Sequence, residues 1–207
     1  KLFCEALYTL CDTCLKLRQI FDVTSMLAKA KEIEDKMSLS AQSFEEGGER
    51  ELSLYARSLG YVYSATLLKE FAETMLSLMN RSLAVRAYEA ARERYGEAEE
   101  ILKALYQIVA LRYLPLEQPF YLRFRVAMLS NVCQARSFLV SAEISARMGD
   151  YERASSLCLQ AFELGRKLGL LSTSFGGEEG RKMADAISKE AWSMQLSLIH
   201  ISEPTRP

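Results

Sequence analysis

The amino-acid sequence predicts an all-α fold. Over long stretches the apolar side chains recur about every 3.6 residues, which is the period of a helix with one buried face. The 207 residues include only 10 glycines and 4 prolines, so few positions interrupt a helix. No stretch shows the alternation of apolar and polar residues that is typical of a half-buried strand. We therefore expect helices throughout the chain and no sheet.

Apolar periods and turn signals divide the chain into helices and short loops. Helices are predicted over residues 2–17, 25–37, 49–68, 71–112 and 178–195, with a helical hairpin over 120–169. Loops are predicted over residues 38–48 and 172–177, and a break near 69–70. Gly96 is the expected interruption of the long fourth segment, whereas Gly60 indicates close helix packing. Pro115 and Pro119 mark the firmest boundary, because proline disfavours helix at the preceding residue.

The hairpin turns at an elbow formed by Gly149 and Asp150. Glycine adopts the positive φ of a helix C-terminal cap without steric cost, and aspartate accepts a hydrogen bond from a free amide of the next helix. With Tyr151, Ala154 and Ala161 after it, this pair of helices resembles a tetratricopeptide unit. The rest of the sequence shows no second clean 34-residue unit, so we do not expect a regular tandem array.

Composition and motifs argue against several functions. The formal net charge is -1, from 26 basic and 27 acidic residues, so the sequence lacks the basic excess of a nucleic-acid-binding protein. No apolar run reaches the roughly 18 to 20 residues that span a bilayer. Phosphate-binding glycine loops, metalloprotease motifs and nucleophile elbows are absent. We predict that the chain is not an enzyme and has no catalytic, cofactor-binding or metal-binding residues.

The five cysteines are predicted to be small buried side chains in a reducing compartment. Cys4, Cys11 and Cys14 lie early, while Cys133 and Cys158 lie on the inner faces of the hairpin. A structural zinc site usually needs a second close pair of ligands, which is missing. Cytoplasmic localisation follows as an expectation.

The two ends of the sequence differ from the helical pattern between them. Residues 1–195 are predicted to form a single helical domain that lacks its natural N-terminus. Residues 196–207 resemble the translation of a sequencing adapter and are predicted to be a non-native tail. The tail contains His200, the only histidine, so a serine or cysteine nucleophile would lack a histidine partner without it.

Three stretches resemble the BRO-one domain of Alix-like adaptors in the ESCRT machinery. They are residues 48–63, with a glycine–aromatic cluster; residues 83–105, with Leu83-Ala84 and Ile101-Leu102-Lys103-Ala104-Leu105; and the hairpin from Arg123 to Ala161. This resemblance implies an irregular right-handed solenoid of antiparallel helices, itself tetratricopeptide-like. It also implies an adaptor of endosomal sorting, with endosome association and no cofactor.

The resemblance further implies a groove for a short amphipathic helix of an ESCRT-III subunit. Ile101 and Leu105 are its apolar groove residues, and Glu45 is its acidic one. Where the family has a basic residue this chain has Glu49 with Arg50 adjacent, and Ala91 replaces an aromatic residue. Core packing is the competing interpretation for Ile101 and Leu105. A tetratricopeptide-like scaffold for an unrelated peptide is the competing interpretation for the function.

Overall fold

A computed structural model describes residues 23–112, 119–172 and 177–202. These residues form six helices: α1 (Val23–Glu46), α2 (Arg50–Ser77), α3 (Arg81–Arg112), α4 (Pro119–Arg147), α5 (Tyr151–Leu171) and α6 (Gly177–Ser202). No strand occurs in these three ranges, so the prediction of an all-α fold is confirmed. The predicted helix over residues 2–17, with its three cysteines, lies outside the described residues. So do Pro115 at the predicted boundary and most of the predicted loop over residues 172–177.

Three predicted helix boundaries are wrong. Residues 38–46 continue α1, because Ala41 is fully buried and the hydroxyls of Ser40 and Ser43 donate to carbonyls one turn earlier. No break occurs near residues 69–70, where the helix is held by the buried side chains Leu68 and Phe71. Gly96 does not interrupt α3, since Tyr95 and Ala98 on either side of it are buried in the core.

Helix α6 also extends past the boundary expected at residue 195. It continues to Ser202, and the Leu198 side chain is only 4% exposed against Ala142, Ala154 and Cys158. The helical conformation of this segment does not bear on its origin. That residues 196–207 are non-native therefore stays a prediction.

The α1–α2, α2–α3 and α4–α5 connections are three elbows with the same backbone hydrogen bonds, although Glu49 at the first makes no side-chain cap. At the elbow expected from the sequence, the Asp150 amide donates to the Ser145 carbonyl (2.9 Å) and the Gly149 amide to the Ala146 carbonyl (3.1 Å). Gly149 has φ 84°, and Asp150 Oδ1 accepts from the Arg153 amide at 3.1 Å. The prediction of a glycine cap followed by an aspartate cap is confirmed. The matching residues at the other two elbows are Gly48-Glu49 and Met79-Asn80.

Met79 occupies a backbone conformation that favours glycine. Its φ is 62°, its side chain is 81% exposed, and its amide donates to the Leu76 carbonyl at 2.9 Å. Asn80 then caps α3, with its side-chain oxygen accepting from the Leu83 amide at 3.3 Å. Because methionine replaces the usual glycine, the sequence gives little sign of this elbow.

Replacing Met79 by glycine should therefore stabilise the protein. A non-glycine residue in the left-handed conformation costs about 1–2 kcal/mol, and the greater freedom of glycine in the unfolded chain offsets part of the gain. We expect Met79→Gly to raise the free energy of unfolding in urea by about 0.5–1 kcal/mol. The matched control, Gly149→Ala, should lower it by about 1 kcal/mol. If Met79→Gly were instead destabilised, the Met79 side chain would make stabilising contacts in solution that its exposure does not indicate.

Each helix packs antiparallel against the next one along the chain. The Arg94–Glu34 ion pair (3.2 Å) joins α3 to α1, and Arg136–Glu190 joins α4 to α6, so helices two apart also meet. Helices α2, α4 and α6 consequently run in the same direction on one side of the molecule. The right-handed solenoid expected from the resemblance stays a prediction.

Two glycines permit close approach between helices. A Cβ on Gly60 would lie 2.9 Å from the Met37 Cβ of α1, which confirms that this glycine marks close helix packing. A Cβ on Gly165 of α5 would lie 2.4 Å from Ser188 Oγ of α6. These contacts bring α1 to α2 and α5 to α6 nearer than larger side chains would allow.

The two described cysteines are buried and unpaired, as the sequence predicts for them. Burial raises the pKa of the Cys133 thiol to about 12 and that of Cys158 to about 11. Both values lie above the roughly 8.5 of a thiol in an unfolded chain, so the thiols remain protonated at neutral pH.

We expect Cys133 and Cys158 to resist alkylation while the protein is folded. N-ethylmaleimide at pH 7.5 followed by peptide mass spectrometry should find both unmodified, and both modified after unfolding in urea, because the reactive species is the thiolate. Since these pKa values are raised, their contribution to stability is complete below about pH 8.5 and is lost as the pH rises through the folded values. Equal alkylation rates in the folded and unfolded protein would contradict this.

Candidate binding groove

A groove of about 700 Å³ lies between α2, α4 and α6. Helix α4 lies between α2 and α6, and Tyr88 reaches the groove from α3. The charged side chains that line the groove are Lys69, Glu73, Glu143, Arg147, Lys189 and Glu190. The remaining lining residues are Tyr88, Leu139, Val140, Ala186, Ser193, Met194 and Ser197.

The groove has apolar surface at its base. Leu139 and Val140 belong to α4 and are almost completely buried, so only the edges of their side chains reach the groove. On α6, Ala186 is exposed and Met194 is half-buried. Apolar surface between charged walls is the pattern found where an amphipathic helix binds.

A chain of ion pairs crosses the groove from α2 to α6. Lys69 Nζ lies 2.5 Å from Glu73 Oε1 on its own helix and 3.1 Å from Glu190 Oε1 on α6. The other Glu190 oxygen accepts from Arg136 of α4. The Lys69 side chain is 15% exposed and Glu190 29%, so solvent screens these pairs less than it screens surface pairs. One carboxylate thus connects three helices.

The environment of Lys69 keeps its amino group charged. Burial alone lowers the pKa of Lys69, but the carboxylates of Glu190 and Glu73 outweigh burial and raise it. Because the folded pKa is raised, the stabilisation from this lysine is complete below the roughly 10.4 of an unfolded lysine and is lost at higher pH. The network is therefore intact through the physiological range.

Tyr88 of α3 also lines the groove, although only 1% of the residue is exposed to solvent. Burial raises the pKa of Tyr88, and the negative charges of Glu143 and Glu73 raise it further. The hydroxyl is thus neutral at all physiological pH values. Tyr88 provides shape and a polar edge but no charge.

The four partner-binding residues implied by the resemblance do not line this groove. Leu105 has 0% exposure in the core shared by α1 to α4, and Ile101 is half-buried on the same helix. Glu45 and Arg50 are exposed on either side of the α1–α2 elbow, where Glu45 forms a 2.8 Å ion pair with Arg57. Leu105 therefore presents no surface to a partner. The binding roles of the other three residues stay predictions.

The residues that line the groove do not follow from the sequence alone. Lys69 falls where a helix break was expected, and Glu190 lies in an ordinary run of charged helical residues. Their pairing depends on α2 and α6 lying on either side of α4, which no local pattern encodes. A weak signal existed, since Lys69 directly follows two apolar residues that a buried helix face would contain.

Two other features, a metal site and a membrane-spanning helix, are absent from the described residues. Within residues 23–112, 119–172 and 177–202, no cluster of three or more histidine, cysteine, aspartate or glutamate side chains could hold a metal ion. None of the helices in these ranges combines the length and apolarity that a membrane span requires. No protein-family model matches the chain, and neither a curated protein nor a solved structure matches it.

Proposed function

We propose that this chain is a non-enzymatic adaptor domain that binds a short amphipathic helix of a partner protein in the groove between α2, α4 and α6. The observation that carries this proposal is the groove itself, with apolar side chains at its base and charged side chains on its walls. Apolar anchors of a ligand helix would pack on Ala186 and Met194, while flanking polar residues would meet the charged side chains of the walls.

A helix suits these walls better than an extended peptide. The groove is walled by helices, whose main-chain groups are already hydrogen-bonded, so an extended ligand would leave its own amides and carbonyls unpaired. A helix satisfies its main chain internally. Before the predicted non-native tail, the lining of α6 extends from Ala186 to Met194, which at 1.5 Å per residue corresponds to about 12 Å, or just over two helical turns.

The resemblance to the BRO-one domain supports one particular partner. We propose the C-terminal helix of an ESCRT-III subunit, which would make the protein an adaptor of endosomal sorting. A second candidate is a tetratricopeptide-like scaffold for an unrelated peptide. It is favoured by the three elbows with matching backbone hydrogen bonds, since tandem helical hairpins repeat one connection geometry.

Fluorescence anisotropy with a labelled ESCRT-III C-terminal helix would test the proposal. Ala186 is exposed in the groove, so Ala186→Trp should fill the groove without disturbing the core, and binding should be lost. Ala104→Trp instead covers the surface beside Ile101 that the resemblance implies. Ala28→Trp, at another exposed alanine on α1, is the matched control and should bind normally.

The outcomes separate the interpretations. Binding that is lost in Ala186→Trp alone supports the groove, whereas loss in Ala104→Trp alone places the site beside Ile101. If the ESCRT-III helix fails to bind at about 100 μM, which corresponds to roughly 5–6 kcal/mol, that partner is excluded. If other amphipathic helices then bind and Ala186→Trp blocks them, the chain is the more general scaffold.

A further inference from the structure

The charges of the groove are not equally available to a ligand. Lys69 is held by Glu73 and Glu190, and Arg147 Nε lies 3.3 Å from Glu143 Oε2 one turn earlier on α4. These five lining groups are already paired within the protein. A ligand that competed for them would have to break existing ion pairs.

Lys189 is the exception among the charged lining residues. It is exposed on the α6 wall, and its amino group forms no ion pair in the part of the chain that the structure describes. Its neighbour Glu190 is turned to Lys69 and Arg136, so it does not neutralise Lys189. The groove therefore offers a ligand one ammonium group outside the internal ion-pair network, next to the exposed Ala186 on the same wall.

We propose that Lys189 selects a ligand helix with acidic residues flanking its apolar face. This inference rests on the proposed function, because it concerns the ligand of the same groove. An acidic side chain near Lys189 gains an ion pair without cost to the internal network. A basic side chain in that place would face a second cation, and like charges in an interface oppose binding.

The position of Lys189, as well as its positive charge, supports this selection of an acidic ligand helix. Ala186, Lys189 and Ser193 lie on α6 at spacings of three and four residues, so Lys189 stands on the face that lines the groove. The apolar contact to Ala186 and the ionic contact to Lys189 are thus available to one ligand at the same time. A single helical turn of ligand can carry both complementary residues.

Three synthetic helices with identical apolar residues test the proposal. Their flanking positions are all glutamate, all glutamine or all lysine, and each is titrated against the full chain by fluorescence anisotropy at about 50 mM and 500 mM salt. We expect the glutamate helix to bind about two- to fivefold more tightly than the glutamine helix, and the lysine helix to bind most weakly. The preference should shrink at high salt.

Substitutions at Lys189 should change this order. Lys189→Gln should remove the preference, and Lys189→Glu should reverse it. Lys167→Glu is the matched control, since this lysine is exposed on α5 outside the groove lining and carries the same change of charge. It should leave the order unchanged. Circular dichroism melting checks that the variants remain folded.

The possible failures are distinguishable. If all three helices bind with equal affinity and Ala186→Trp blocks them, the groove is correct and the role of Lys189 is wrong. A preference that persists in Lys189→Gln also overturns the proposal. If none of the helices binds, including the glutamine helix, the proposed function itself fails.

Discussion

Replacing Leu105 by alanine should lower the free energy of unfolding by about 2–5 kcal/mol. The side chain has 0% exposure and packs in the core that α1, α2, α3 and α4 share. Truncation removes apolar contacts and leaves a cavity that the surrounding helices fill only partly. Urea unfolding followed by circular dichroism measures the difference.

Leu39→Ala is the matched control for this substitution. The same side chain is removed from α1, but Leu39 is 66% exposed, so the loss should stay within about 0.5 kcal/mol. If Leu105→Ala were equally mild and abolished helix binding, Leu105 would be a groove residue as the resemblance implies. The burial of Leu105 predicts the opposite result.

Glu190→Ala should cost about 2–3 kcal/mol of stability. Removing this carboxylate leaves Arg136 without an ion-pair partner among the described residues and Lys69 with Glu73 alone. An unpaired charge in this half-buried place destabilises the fold by more than the original ion pair stabilised it. The figure is below the roughly 3–5 kcal/mol for a fully buried pair because these side chains retain some solvent contact.

Glu178→Ala provides the control on the same helix. Glu178 pairs with Lys182 at 2.7 Å, but both side chains are largely exposed, so its loss should cost less than about 0.5 kcal/mol. A double-mutant cycle between Lys69 and Glu190 then isolates their coupling. Equal effects of Glu190→Ala and Glu178→Ala would show that the network adds no more than a surface ion pair.

The sequence predicts a structural feature correctly where the residues that cause the feature are close neighbours in the chain. Gly149 and Asp150 are sufficient to predict their elbow, because the positive φ and the cap both arise within a few residues. The elbow at Met79 and Asn80 does not follow from the sequence, because methionine is not a residue that indicates a positive φ. Met79 keeps its φ of 62° only because the helices on either side fix it there.

The predicted loop over residues 38–48 shows the opposite limit. The turn signals of this stretch end in Glu45-Glu46-Gly47-Gly48, yet Ala41 is fully buried, and its burial holds residues 38–46 in α1. Tertiary packing overrides such weak local preferences. The same reason explains why α2 continues through residues 69–70 between Leu68 and Phe71.

The sequence by itself determined the helical class and the elbow at Gly149 and Asp150, because helix periods and caps are properties of neighbouring residues. Tertiary structure alone decided that Leu105 lies in the core, and that Lys69 on α2 meets Glu190 on α6. Burial and ion pairing depend on which helices become neighbours in space. The candidate groove and the position of Lys189 on its wall are therefore consequences of the tertiary structure.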